Sequence, residues 1–251
     1  EMEGSGDSFS VAISAGSAVL ALLVPASILM IVWGGLLTVS IGGLFLAGII
    51  PGLLIGLAQM ATVHVYAKLR NYPTYPRATL LETIKAIGVS IPALMTPVII
   101  IGGKIFGWFT ATESACIAVL YAAALTMLVY REMDMKGLYG ALLDTGKLAG
   151  IALFCVGTAS AFGWLLAYYK IPEAILTGVQ SWGMGFASTG FFIAFVFLVV
   201  GCFLDAIPAI IIVGTILEPL TKAVGIDPIH FAMIGIVSLA FGLVTPPYGL
   251  L

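Results

Sequence analysis

Charge is what this chain has least of. Asp, Glu, Lys and Arg together make up 9% of its 251 residues, against about 25% in a soluble domain. None of the four occurs between Asp7 and Lys68, and that stretch is long enough for two helical crossings of a bilayer at roughly 20 residues each. Apolar side chains account for 61%, so the chain reads as an all-α, polytopic membrane protein whose solvent is the lipid bilayer. It has no basic tract interleaved with aromatics, and its net charge is only -2, which argues against nucleic acid as a partner. A glycine-rich phosphate loop with its lysine is also missing, so direct use of ATP has no support. Cysteine is sparse: Cys116, Cys155 and Cys202 each lie in an apolar stretch with no neighbour at metal-ligand spacing, and are expected to be core packing. His64 and His230 lack such partners too and read as packing or interfacial residues. The order of a signal peptide is absent after Glu1, and a preceding segment is expected in the parent protein.

What the chain does have is long apolar runs, at residues 9–33, 41–67, 86–103, 114–130, 148–169, 190–217 and 229–251. The stretch 171–188 is weaker and glycine-rich, and reads either as a hairpin return or as an interfacial helix. Lys and Arg concentrate in cytoplasmic loops. Lys68, Arg70 and Arg77 lie in one loop, and Arg131 and Lys136 in the next strongly polar one. If the two runs between them both cross, these loops share the cytoplasmic side. Trp33, Tyr72, Tyr130 and Trp164 stand near run ends and suit interfacial belts.

Two stretches resemble each other. "GSGDSFSVAISAGSAVLALLVPAS" near the start and "GIDPIHFAMIGIVSLAFGLVTPPYG" near the end both place Gly and Asp before Phe, then a long apolar run, then proline. Phe9 precedes Pro25 by sixteen residues, and Phe231 precedes Pro247 by sixteen. Either the match is chance, or the two are equivalent segments of structural repeats of the kind that build many secondary transporters. On the second reading, residues 1–80 are the end of a first repeat and 81–251 the second, with the chain truncated in repeat one.

Irregular backbone at membrane depth survives only where it is buried in protein or lines a wet cavity. Three places combine a helix breaker with polar atoms. In "GGKIFGWFTATES", three glycines flank Lys104, and Thr110, Thr112, Glu113 and Ser114 follow. Lys104 and Glu113 are either intramembrane functional groups or a loop-level pair closing a tight connection, while the threonines offer oxygen to a small cation. In "GCFLDAIPAI", Asp205 is the only charge between Glu173 and Glu218, with Pro208 three residues on. A carboxylate at a helix centre costs about 2.5 to 3.5 kcal/mol on the insertion scale unless a partner or cation compensates. Asp205 could also cap a helix restarting at Ile207, which is compatible with a functional role. In "GLVTPPYGL", Pro246 and Pro247 release carbonyls of the preceding turn, and Thr245 adds a hydroxyl, giving oxygens suited to sodium; a plain kink is the alternative.

The blocks "GLFLAGIIPGLLIGL", "GWFTATESACIAVLYA", "YREMDMKGLYGALLDT", "FLDAIPAIIIVGTILEPL" and "GIDPIHFAMIGIVSLAFGLVTPPYGL" resemble, in order and over nearly the whole chain, the large membrane subunit of tripartite ATP-independent periplasmic (TRAP) transporters. The resemblance implies the C-terminal portion of a sodium-driven, elevator-type importer of organic acids such as dicarboxylates and sialic acid, in the bacterial inner membrane. It also implies two inverted repeats with broken helices and a re-entrant hairpin, a small membrane subunit and a periplasmic binding protein as partners, and sodium as coupling ion with no other cofactor. Carried over by motif, the ion and substrate residues are Thr110, Thr112 and Glu113, with Ala111 where the family has proline; Asp205 and Pro208; and Gly242, Thr245, Pro246 and Pro247. Sodium is expected near Thr245 and Asp205. The N-terminal copy departs from the family's pattern, with Val19, Leu20 and Ala21 and a single proline, Pro25, before Ala26. Ser17 and Ser27 stand where they could compensate. Two other readings stay open: a truncated, inactive or structural subunit, and an intramembrane enzyme using Asp205.

Overall fold

The computed structural model describes residues 7–24, 27–70 and 79–247, and among them the regular structure is helical throughout. Six stretches are long and apolar enough to cross a membrane: Val11–Leu36, Ile41–Leu69, Leu80–Ile105, Ala111–Val129, Met135–Tyr168 and Ala206–Val224. Two further apolar helices, Phe186–Gly201 and Pro228–Gly242, are shorter. The run 190–217, expected as one segment, is therefore divided. Its first half ends at Gly201 and its second restarts at Ala206.

The chain divides by packing into Ala67–Gly150 and the remainder, with the boundaries inside two long helices. That is a division by compactness; the division at residue 80 is one of repeat equivalence, which packing does not address. In the larger unit, α1 (Asp7–Leu23) lies antiparallel along α3 (Ile41–Leu69). Phe9 stacks on Tyr66 at 5.5 Å between ring centroids, and the Gln59 amide donates to the Gly16 carbonyl. At the far end, Gly48 faces the Leu23 carbonyl so closely that a Cβ there would lie 2.8 Å from it. Small residues allow this approach where lipid supplies no hydrophobic drive between helices.

Helix α2 (Ile28–Leu36) starts at Ser27, whose buried hydroxyl accepts from the Leu29 N–H at 3.2 Å. It carries Trp33 into the core. That tryptophan, expected at a membrane interface, is fully buried. Its ring lies 5.5 Å from Phe197 and 5.1 Å, edge-on, from Phe231, over a slot left by Gly235. Its absent β-carbon is the physical reason for the correction, because a run-end position says nothing about what another helix offers. Trp164 does fit a belt, being exposed and stacked on Tyr168 at 5.5 Å. Tyr130 is half-buried and turns its hydroxyl to the Val89 carbonyl at 3.4 Å. Tyr72 falls outside the described residues.

In the smaller unit, α4 (Leu80–Ile105) and α5 (Ala111–Ala124), extended by a π-helical turn Leu125–Val129, form a helical hairpin through Gly107 at φ +70°. The hairpin brings Tyr130 back alongside Val89, in the first half of α4. Cys116, on its surface, is exposed, and Cys155 is only half-buried; Cys202 alone of the three is buried. Outward faces of membrane helices need no protein cover, since lipid is as apolar as a core, so apolar context did not imply burial.

Helix α6 (Met135–Tyr168) ends in a turn at Lys170, and α7 (Ile171–Gln180) follows. The weak segment is thus a short helix, packed on α10 (Thr215–Val224). The closest pairing of all joins α8 (Phe186–Gly201) to α11 (Pro228–Gly242), and it positions the candidate site.

Candidate functional site

At about 1.5 Å per residue, α8 and α11 are some 24 and 22 Å long, short of the roughly 30 Å hydrocarbon core. Both finish at the same place. A Cβ built on Gly242 would stand 2.7 Å from the Leu198 carbonyl oxygen and 2.8 Å from the Gly201 Cα, and one on Gly201 would stand 3.2 Å from the Leu239 carbonyl oxygen. Backbone therefore touches backbone where two helix C-termini meet. Each C-terminus carries partial negative charge on carbonyls that have run out of helical donors.

Both chains then leave the helix. After α8, Phe203 and Leu204 fold back their N–H groups onto the Val200 carbonyl at 3.0 and 2.9 Å. Among the described residues, the carbonyls of Gly201, Cys202 and Phe203 accept no recorded hydrogen bond. Asp205 follows in extended conformation and caps α9 (Ala206–Ala209), its Oδ1 accepting from the Ala206 N–H at 2.7 Å. The restart expected at Ile207 comes one residue earlier. Pro208 sits half-buried inside α9, and a π-helical turn, Ile210–Gly214, leads on to α10.

After α11, the helical donors for the Gly242 and Leu243 carbonyls would be residues 246 and 247, and both are proline. The Gly242 carbonyl takes the Thr245 N–H instead, at 3.0 Å, and the Thr245 hydroxyl donates back to Phe241 at 2.8 Å. The Leu243 carbonyl accepts no hydrogen bond from the described residues. Thr245, Pro246, Pro247 and Asp205 are all exposed. Two exposed turns thus leave the Gly201–Gly242 contact, one carrying the Asp205 carboxylate and the other the Thr245 hydroxyl.

The first-repeat candidates lie in the same unit. Ser17 is exposed and donates to the Ser14 carbonyl at 2.9 Å, Ser27 caps α2, and Pro25 falls outside the described residues. Helix α1 packs against α11, and α2 against α9 and α11.

Thr110, Thr112 and Glu113 fall in the smaller unit. Thr110 caps α5 and receives the Glu113 N–H at 3.3 Å. The Glu113 carboxylate accepts in return from the Thr110 N–H at 2.7 Å and its hydroxyl at 2.8 Å. Glu113 is therefore paired with Thr110, whereas the loop-level pairing considered for it was with Lys104. A carboxylate already neutralises the positive end of α5. Sequence reasoning passed over Gly201, Gln59 and the twin capping box of Thr79 and Glu82 on α4. The last two were visible, as an amide in an apolar helix and as a Thr-x-x-Glu spacing.

The family described as "Tripartite ATP-independent periplasmic transporter, DctM component" matches residues 2–251. The chain belongs to that family. Among its relatives, the C4-dicarboxylate TRAP transporter large permease protein of Pseudomonas aeruginosa is 34% identical over 247 residues, covering 98% of this chain and 58% of that protein. The ectoine/5-hydroxyectoine large permease protein of Ruegeria pomeroyi is 36% identical over 98% of this chain and 58% of its own length. The sialic acid large permease protein of Vibrio cholerae is 34% identical over 97% and 57%. All three names describe permease proteins, none an enzyme. The chain spans rather more than half the length of these three relatives. With six stretches among the described residues long and apolar enough to cross a membrane, this TRAP family member is a multi-pass protein of the bacterial inner membrane.

Proposed function

We propose that the chain contributes the cation site of a sodium-coupled TRAP permease that imports small organic acids. The observation that carries this reading is the meeting of α8 and α11 at Gly201 and Gly242, which delivers two negative helix ends and the Asp205 and Thr245 turns to one junction. Sodium, a hard cation, favours such carbonyl, carboxylate and hydroxyl oxygens.

The two breaks belong to an inverted repeat on this reading. Helices α1 and α11, which carry the similar stretches, pack on one another, and each ends short of its proline. The substrate is an organic acid, as the relatives' names suggest, received from a periplasmic binding protein by a permease completed with a small membrane subunit. Each sodium ion moving inward contributes about 2.3 kcal/mol per 100 mV, so a doubly charged acid gains from the potential only when more than two ions accompany it.

The test is uptake into proteoliposomes holding the permease, its small subunit and the binding protein, across dicarboxylates, sugar acids and keto acids. An imposed inward sodium gradient should drive accumulation of at least one acid, and an equal potassium gradient should not. Equal uptake under both gradients would overturn the coupling.

A further inference from the structure

Nothing in the motifs singles out Gly201, yet the geometry points to it as a positioning residue for the cation site, and we propose that role; it rests on the reading of the Asp205 and Thr245 turns as that site. Gly201 lies four residues before Asp205, and Gly242 lies three before Thr245. Between a glycine and its polar residue the chain is short and irregular, so the separation of the two turns is set where the helices last touch. That last contact is made without a single β-carbon. A methyl group on Gly201 would meet the Leu239 carbonyl oxygen at 3.2 Å and the Cα atoms of Leu239 and Gly242 at 3.3 Å. All three are backbone atoms, which cannot swing aside as a side chain would. Relief comes from α11 moving away from α8 by a few tenths of an ångström at the end that carries the two turns.

The remainder of the interface is more tolerant. A methyl on Gly190, on the same helix and facing the same partner, would meet only the Ile234 Cδ1 at 3.7 Å, an ordinary contact. The Gly201 contact therefore sets the spacing of the ligands, and the Gly190 contact does not.

The experiment uses the permease with its small subunit and binding protein in proteoliposomes and reads uptake rate against sodium concentration. Gly201→Ala should raise the sodium concentration for half-maximal uptake by about fourfold, the share of a roughly hundredfold cost per ångström that a shift of a few tenths of an ångström carries. Gly190→Ala should leave it within about twofold of the unmodified protein, near the additivity limit for a site without shared partners. The acid concentration for half-maximal uptake, measured at saturating sodium, should not change in either. A Gly201→Ala protein that retains the unmodified sodium response overturns the positioning role alone; an unmodified protein with no sodium response overturns the cation site itself. Should Gly201→Ala fail to insert, spin labels at Leu204 and Val244 in a permease that keeps Gly201 and has Cys116, Cys155 and Cys202 replaced by alanine give a second reading. One narrow distance, the same with and without sodium, is expected of turns pinned by this contact. A broad or sodium-dependent distance would overturn it.

Discussion

Two glycines illustrate how an absent side chain can be the decisive one. Gly235 makes room for Trp33: an added methyl would stand 2.3 Å from Cη2 and 2.6 Å from Cζ3 of the indole. Gly235→Ala should therefore destabilise the fold by about 1–3 kcal/mol, the usual range for overpacking, read as a lower thermal midpoint in detergent. Trp33→Phe removes the atoms that collide and should restore part of the loss in the double variant. Glu113 and Thr110 make a second case. If their capping box is the reason for the Thr-x-x-Glu spacing, Thr110→Ala should cost about 1 kcal/mol, whereas Glu113→Gln, which keeps the reciprocal hydrogen bonds and loses only the charge at the helix end, should cost about 0.3–1 kcal/mol and leave uptake unchanged. Loss of sodium response in Glu113→Gln would show that its charge is needed beyond the cap.

Helix existence followed directly from the apolar runs, and several ends followed from capping residues. Asp205 was legible as a cap, and the double proline as the end of α11. The division of residues 190–217 was less so, because Gly201 and Cys202 interrupt hydrophobicity hardly at all; only Asp205 and Pro208 signal the break. Trp33 and Cys116 were misplaced for one reason, which is that composition records how apolar a residue is but not whether protein or lipid covers it. The Gly201–Gly242 contact was not legible, since close approach is a property of two helices and either glycine alone is unremarkable among 30. Helix α6 provides a prediction on this scale. Its 34 residues make about 51 Å of helix, well beyond the roughly 30 Å core, and Lys136, Asp144 and Lys147 all lie in its first 13 positions. Single cysteines at Tyr139 or Leu143 should react with a membrane-impermeant maleimide from one side, and one at Phe154 should not. Protection at Tyr139 and Leu143 would place the charged half in the membrane.

On the scale of the whole molecule, the account is electrostatic. Helices too short to cross end together, and the two turns that follow supply oxygen where carbonyls are already free. On the proposed reading the arrangement holds a cation, and a family of permeases gives that cation work to do. The most direct measurement is the sodium dependence of organic-acid uptake by the permease in proteoliposomes, compared between the unmodified protein, Asp205→Asn and Thr245→Ala, with insertion checked in each. Both variants should insert normally and need at least about tenfold more sodium for half-maximal uptake, as expected when a charge or hydroxyl ligand worth some 1.4 kcal/mol or more is removed. An unchanged sodium response in both would contradict the placement of the cation site at this junction.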